Sequence, residues 1–89
     1  MQVSNFISPR SCRPVANQFI IKDDNGNVFF QSYKSIIAKK DCNGKITLDS
    51  YFWDYSATTG KYRNEFLGMG IAETREMIKR GAITLENLN

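Results

Sequence analysis

Histidine is absent from this 89-residue chain. That absence removes Ser-His-Asp and Cys-His nucleophile systems, imidazole general bases and His-ligated zinc. Cysteine is scarce: Cys12 and Cys42 stand thirty residues apart with no CxxC pair, too few thiols for a four-ligand zinc site on one chain. Two reduced thiols are the expectation. No apolar run approaches the roughly 18 residues of a membrane span, and the opening residues carry no apolar stretch behind a basic start. Neither a span nor a signal peptide is therefore expected. Proline occurs only at Pro9 and Pro14.

What is present is ordinary globular composition, 42% hydrophobic and 24% charged. A chain this short forms one domain, which buries about 60% of its unfolded surface or a little more. The net charge of +3 is mild but unevenly spread. Residues 1–40 carry Arg10, Arg13, Lys22, Lys34, Lys39 and Lys40 against Asp23 and Asp24, a local excess of four positive charges. Residues 41–56 are acidic by two. The N-terminal third is thus the part suited to an acidic partner.

Residues 1–16 hold both prolines and no periodicity, which predicts an irregular basic arm. A single domain then runs from 17 to 89. Strands are expected at about 17–23 and 28–33, joined through Asn25-Gly26, and at 35–40 and 45–48, joined through Asn43-Gly44. Asn-Gly between β-forming runs is the strongest short hairpin signal, and a type I′ turn is the expectation at both. Between strands two and three there is no Gly or Pro, so either a tight turn at Tyr33-Lys34-Ser35 or a bulged continuous strand is expected.

After Asp49 the period changes. Ser56 or Thr58 is a suitable N-cap for a helix reaching Leu67, with Thr59, Tyr62, Phe66 and Met69 inward and Gly60 and Asn64 opposite. A second helix is expected over about 71–80, and Ile83–Asn89 could add a short strand or a docked segment. The fold class is α+β: an antiparallel sheet of three to four strands, built from two Asn-Gly hairpins, followed by two short helices packed on one face. The expected core is Phe19, Ile21, Phe29, Phe30, Ile36, Ile37, Ile46, Leu48, Trp53, Phe66 and Ile78.

Thr58-Thr59-Gly60-Lys61 is not a phosphate loop, because the glycine five positions before the Gly-Lys pair is Tyr55 and the residue after the lysine is Tyr62. Asp49, Asp54 and Glu65 could pair as catalytic carboxylates, but Asp54 at a helix mouth reads as a cap or backbone acceptor. Asp23–Asn27 lacks the spaced ligands of a calcium loop. No catalytic, cofactor-binding or metal-binding residue is assigned, and the chain is read as non-enzymatic. The aromatics could stack single-stranded bases, with Lys34, Lys39 and Lys40 interleaved, though most must fill a small core. Arg10 and Arg13 stand out because no acid lies within nine residues of either. The candidate partner-binding set is Arg10, Arg13, Lys34, Lys39 and Lys40, with Lys61, Arg63 and Asn64 as the helical-side alternative.

The segments Ala16–Ile21 and Phe30–Ala38 carry a resemblance. It continues through Trp53-Asp54-Tyr55-Ser56-x-Thr58-Thr59-Gly60-Lys61-Tyr62-Arg63-Asn64-x-Phe66-Leu67, then Glu73-Thr74-Arg75 and Leu88-Asn89. In these the chain resembles a family of small uncharacterised proteins from bacteriophages and mobile elements. The resemblance implies an accessory phage or prophage protein, working in the cytoplasm of a bacterial host. Such proteins often bind and disable host defence machinery, for example an RNA-guided nuclease. The expected partner is a defence protein or ribonucleoprotein, with direct nucleic-acid contact by a basic aromatic sheet face as the alternative; no cofactor is implied.

Overall fold

A computed structural model describes residues 1–89. Six strands and two helices follow in the order β1 (Gln2–Ile7), β2 (Pro14–Lys22), β3 (Val28–Ser32), β4 (Ser35–Lys40), β5 (Ile46–Asp49), α1 (Ala57–Leu67), α2 (Ile71–Lys79) and β6 (Ile83–Glu86). They form one sheet in chain order, antiparallel from β1 to β5, with β6 parallel to β5. The chain is α+β, but the sheet is six-stranded and mixed rather than three- to four-stranded and antiparallel. The connection from β5 to β6 runs through both helices and is long enough for the crossover that a parallel pair requires. No helix is long and apolar enough to cross a membrane.

The expected irregular arm is instead a strand hairpin, so no boundary falls at residue 16. Pro14 opens β2 and Pro9 lies in the β1–β2 turn, two places where a missing N–H need not break a sheet ladder. The register shifts between Asn5 and Ile7, a bulge that hides the alternation of β1 from a sequence reading.

The two Asn-Gly hairpins form where expected, but not as type I′ turns. Only Gly26 (φ 87°) and Gly44 (φ 84°) take positive φ; the preceding asparagines do not. Each is a three-residue loop that ends on a left-handed glycine. The loops are alike in detail. Asp23 Oδ1 accepts from the N–H groups of Asn25 and Asn27, and Asp41 Oδ1 from those of Asn43 and Lys45, all at 2.9 Å. Asp-x-Asn-Gly therefore encodes one loop twice: the aspartate collects the two backbone donors that the turn would strand. The Asn27 side chain and backbone hold the Asp23 carboxyl below its ordinary range. Between β3 and β4 the tight turn forms, as the two residues Tyr33-Lys34, and not the continuous strand; a bulge does occur, but within β4 near Ile37.

Both helices cover one face of the sheet. The core is Phe30, Ile37, Ala38, Leu48, Leu67 and Ile83, with Phe52, Trp53, Tyr62, Phe66 and Ile78 among the side chains packed against it. Ring centroids of Phe30 and Phe66 are 5.7 Å apart, and the Ser32 and Thr59 hydroxyls share a 3.0 Å hydrogen bond, which fixes the helix-facing side of β3. Strand alternation then puts Val3, Ile21, Phe29, Lys39, Thr47 and Thr84 in one row on the outer face, each the register partner of the next. Phe19, Ile21, Phe29 and Ile36 are thus outer-face residues and not core. Runs such as Phe29-Phe30 and Ile36-Ile37 are apolar on both faces, so alternation alone could not assign them.

On α1, Ser56 caps the N-terminus by accepting from Thr59 N–H at 3.1 Å. Gly60 is buried rather than opposite, since the inward stripe runs through Thr59, Arg63 and Leu67 as well as Tyr62 and Phe66.

Candidate binding surfaces

The candidate cations divide by exposure. Arg63 is only 2% exposed, which takes it out of the surface set. One of its terminal nitrogens donates to the Trp53 carbonyl at 2.7 Å and to Asp54 Oδ1 at 3.1 Å, and the other donates to Asn64 Oδ1 at 3.0 Å. The guanidinium lies 5.3 Å from the Trp53 ring centroid. Asp54 also accepts from Arg75 at 3.4 Å, so one carboxylate ties α1 to α2. Asp54 is thus an ion-pair acceptor, not a cap or backbone acceptor. A Cβ at Gly60 would stand 3.5 Å from the Arg63 guanidinium, an ordinary contact distance, so the arginine does not require glycine there. Much of the W-D-Y-S-x-T-T-G-K-Y-R-N stretch is therefore structural. Trp53, Asp54, Arg63 and Asn64 build the arginine staple, Ser56 caps the helix and Thr59 meets the sheet.

The chain belongs to DUF8033, a family of unknown function. The family model matches residues 1–84, covering every strand but the end of β6 and both helices. Among curated proteins and among solved structures, none matches this chain.

Lys40 is also turned inward. Its Nζ donates to the Phe66 carbonyl at 2.6 Å and stands 4.6 Å from the Phe66 ring centroid, and burial lowers its pKa from the ordinary lysine value. Lys39, the next residue, points to the outer face, 6.0 Å from the Phe29 ring centroid. Lys34 is exposed in the β3–β4 turn.

Arg10 and Arg13 are exposed on the β1–β2 turn and make no ion pair. The turn is docked: Ser8, 6% exposed, donates from Oγ to Glu65 Oε1 on α1 at 3.1 Å. That docking brings Arg10 beside Lys61 and Asn64 around a cleft of about 390 Å³. Two sites expected as alternatives, arm and helical side, are in this respect one surface. A neighbouring cleft of about 630 Å³ is lined by Tyr55, Lys61, Asn64 and Ile71 among others.

Asp49 is 1% exposed and belongs to neither surface. Its Oδ2 accepts from the N–H groups of Tyr51 and Phe52, and its Oδ1 from Leu88 N–H and the Asn89 amide, at 2.8–3.1 Å. Burial pushes this carboxyl up, yet the four donors outweigh it and the net direction is down. Asn89 also exchanges hydrogen bonds with the Ile36 backbone. Residues 88–89 thus strap the β4–β5 side of the sheet.

The outer face over β1–β3 has no such cover. Val3 is 62% exposed, with Ile21 and Phe29 half-buried in its row and Phe19 in the next. At the end of this face Asn17, Phe19, Gln31, Tyr33, Lys34 and Tyr55 surround a third cleft, of about 650 Å³. Of these, Lys34 is in the candidate partner-binding set, and Tyr33 and Tyr55 are among the aromatics that could form a stacking platform; Asn17, Phe19 and Gln31 are not singled out by the sequence as site residues. The turn at Tyr33-Lys34 is expected; what no local pattern shows is that it takes positive φ at Tyr33 and sets that ring beside Tyr55 at one cleft.

Proposed function

We propose that this protein is a non-enzymatic accessory protein of a phage or prophage. On this reading it acts in the cytoplasm of a bacterial host, where it binds and disables a defence protein or ribonucleoprotein such as an RNA-guided nuclease. The observation that carries the binding role is the uncovered sheet face of Val3, Phe19, Ile21 and Phe29, flanked by the cations Lys34 and Lys39. An apolar centre with a polar rim is how a protein interface is built, and a contiguous exposed apolar patch marks a contact surface more often than chance exposure. Arg10 and Lys61, which line one cleft beside α1, and Arg13 on the β1–β2 turn add positive charge suited to an acidic target. The non-enzymatic reading is supported by how the buried charges are used. Asp49, Arg63 and Lys40 are each held by internal partners, as structural groups are. The phage and host context rests on the motif resemblance.

Titrating the purified protein into DNA cleavage by a purified RNA-guided nuclease tests the specific form. Inhibition that is lost in Ile21→Glu, with the fold retained, supports it. The broader form is tested by capture from nuclease-treated host lysate. No retained protein, and no inhibition at any ratio, would remove the reading.

A further inference from the structure

Two non-glycine residues with left-handed backbone meet at the end of the open sheet face. Tyr33 has φ 55° and Asn17 φ 64°, and the Tyr33 N–H donates to the Asn17 carbonyl at 2.7 Å. Asparagine takes this conformation readily; an aromatic residue does so only under strain. Tyr33 is the first central residue of a two-residue turn and the only one of the two with positive φ, a place where glycine is the usual occupant. Strain of this kind persists where the surrounding structure enforces it, and it collects at binding sites.

The strained turn holds an exposed phenol ring next to the exposed ammonium of Lys34. Facing it is Tyr55, 48% exposed, which arrives from the loop before α1. The cleft of about 650 Å³ between them has Phe19 and its cross-strand partner Gln31 among its lining residues. The Gln31 amide nitrogen donates to the Tyr33 carbonyl at 2.7 Å, while its oxygen and the whole Asn17 amide make no internal hydrogen bond. No carboxylate lines the cleft. The inventory is therefore three aromatic rings, two amides with free hydrogen-bonding capacity, Ser35 and one cation. A planar, hydrogen-bonding, negatively charged ligand satisfies all three kinds of group. A peptide phosphate would use the cation and leave the rings idle. Bases within a duplex present no free face to them. Along the same face, Phe29 with Lys39 above it repeats the ring-and-cation pairing.

We infer that this cleft binds single-stranded nucleic acid, stacking bases on Tyr33 and Tyr55 with Lys34 against the phosphate. The site goes beyond the proposed inhibition, which requires only a macromolecular contact. The test is fluorescence anisotropy of the intact protein with labelled oligouridine, oligothymidine and a duplex of equal length, at two salt concentrations. Single strands are expected to bind and the duplex to bind more weakly; the RNA and DNA arms show which backbone is preferred. Tyr33→Gly removes the ring and relieves the positive φ. It is expected to raise the melting temperature while weakening binding about tenfold, the equivalent of 1.4 kcal/mol for a lost stacked base. Tyr33→Phe should bind as the parent does, Tyr55→Ala should weaken binding, and Lys34→Gln should flatten the salt dependence. Arg10→Gln with Arg13→Gln, which adds no negative charge, should weaken oligonucleotide binding far less than Tyr33→Gly does. No binding of single strands at roughly 100 µM, the weak limit of non-specific association, overturns the inference. So does binding that Tyr33→Gly leaves intact, or that depends on the arginines instead. Protein capture from nuclease-treated lysate is independent of these outcomes, so the two readings fail separately.

Discussion

Replacing Asp49 by asparagine keeps the volume of the side chain and changes only what its two outer atoms can accept. Oδ2 serves the N–H groups of Tyr51 and Phe52, and Oδ1 serves Leu88 N–H and the Asn89 amide. Whichever oxygen becomes nitrogen, two donors lose their acceptor and face another donor. An unsatisfied buried donor costs roughly 1–3 kcal/mol, and partial hydration of the loop recovers some of it, so a loss of about 2–4 kcal/mol is expected. A domain of this length has a total stability of roughly 4–13 kcal/mol, and about 3 kcal/mol corresponds to a fall in melting temperature of roughly 12–24 °C. The loss should also depend on pH. The folded pKa of Asp49 lies below its unfolded value, so the carboxylate's contribution is complete above about pH 5. It fades as pH falls below the unfolded value of about 3.9 and through the folded one. The amide of the Asp49→Asn variant has nothing to titrate. Urea denaturation of both proteins from pH 7 down to acid should therefore show a wide gap that narrows with acidification. A variant as stable as the parent at pH 7, or a gap that does not change with pH, refutes the clamp.

Arg63→Ala should cost roughly 2–4 kcal/mol, chiefly from the orphaned Trp53 carbonyl and the vacated volume, because half-exposed Asp54 can turn to water and Arg75. An unchanged melting curve with binding abolished would return Arg63 to the surface set. Gly26→Val and Gly44→Val should each destabilise by about 1 kcal/mol or more, since a β-branched residue resists positive φ. Gly26→Val should be the worse, because its Cβ would lie 2.9 Å from that of Cys42 whereas Gly44 has open space; equal melting temperatures would count against the packing of the two loops. Arg10→Glu with Arg13→Glu should weaken partner binding at least tenfold, about 1.4 kcal/mol, with melting unaltered. Unaltered affinity for the purified target would shift the contact to the sheet face alone.

What the sequence determined by itself is what a few neighbouring residues can enforce. Asp-x-Asn-Gly makes its loop from five consecutive residues, which is why both hairpins were legible even though their turn type was not. The Ser56 cap and the extents of both helices are equally local, and they agree with the expected spans to within a residue or so. Tertiary structure alone decided which side of each strand is inside, because Phe29-Phe30 and Ile36-Ile37 offer an apolar side chain to both faces and only the docked helices choose between them. It also decided the fate of the charges. Arg63 and Lys61 read alike two positions apart, yet helical rotation aims one at Trp53 and Asp54 and leaves the other in solvent. Strand β1 closes a local hairpin and was hidden by its bulge, whereas the parallel β6, the Asp49 strap and the Tyr33–Asn17 contact join residues well separated along the chain. Such contacts must first overcome loop-closure entropy, and their favourable energy exists only once the partners have met. No local pattern announces them.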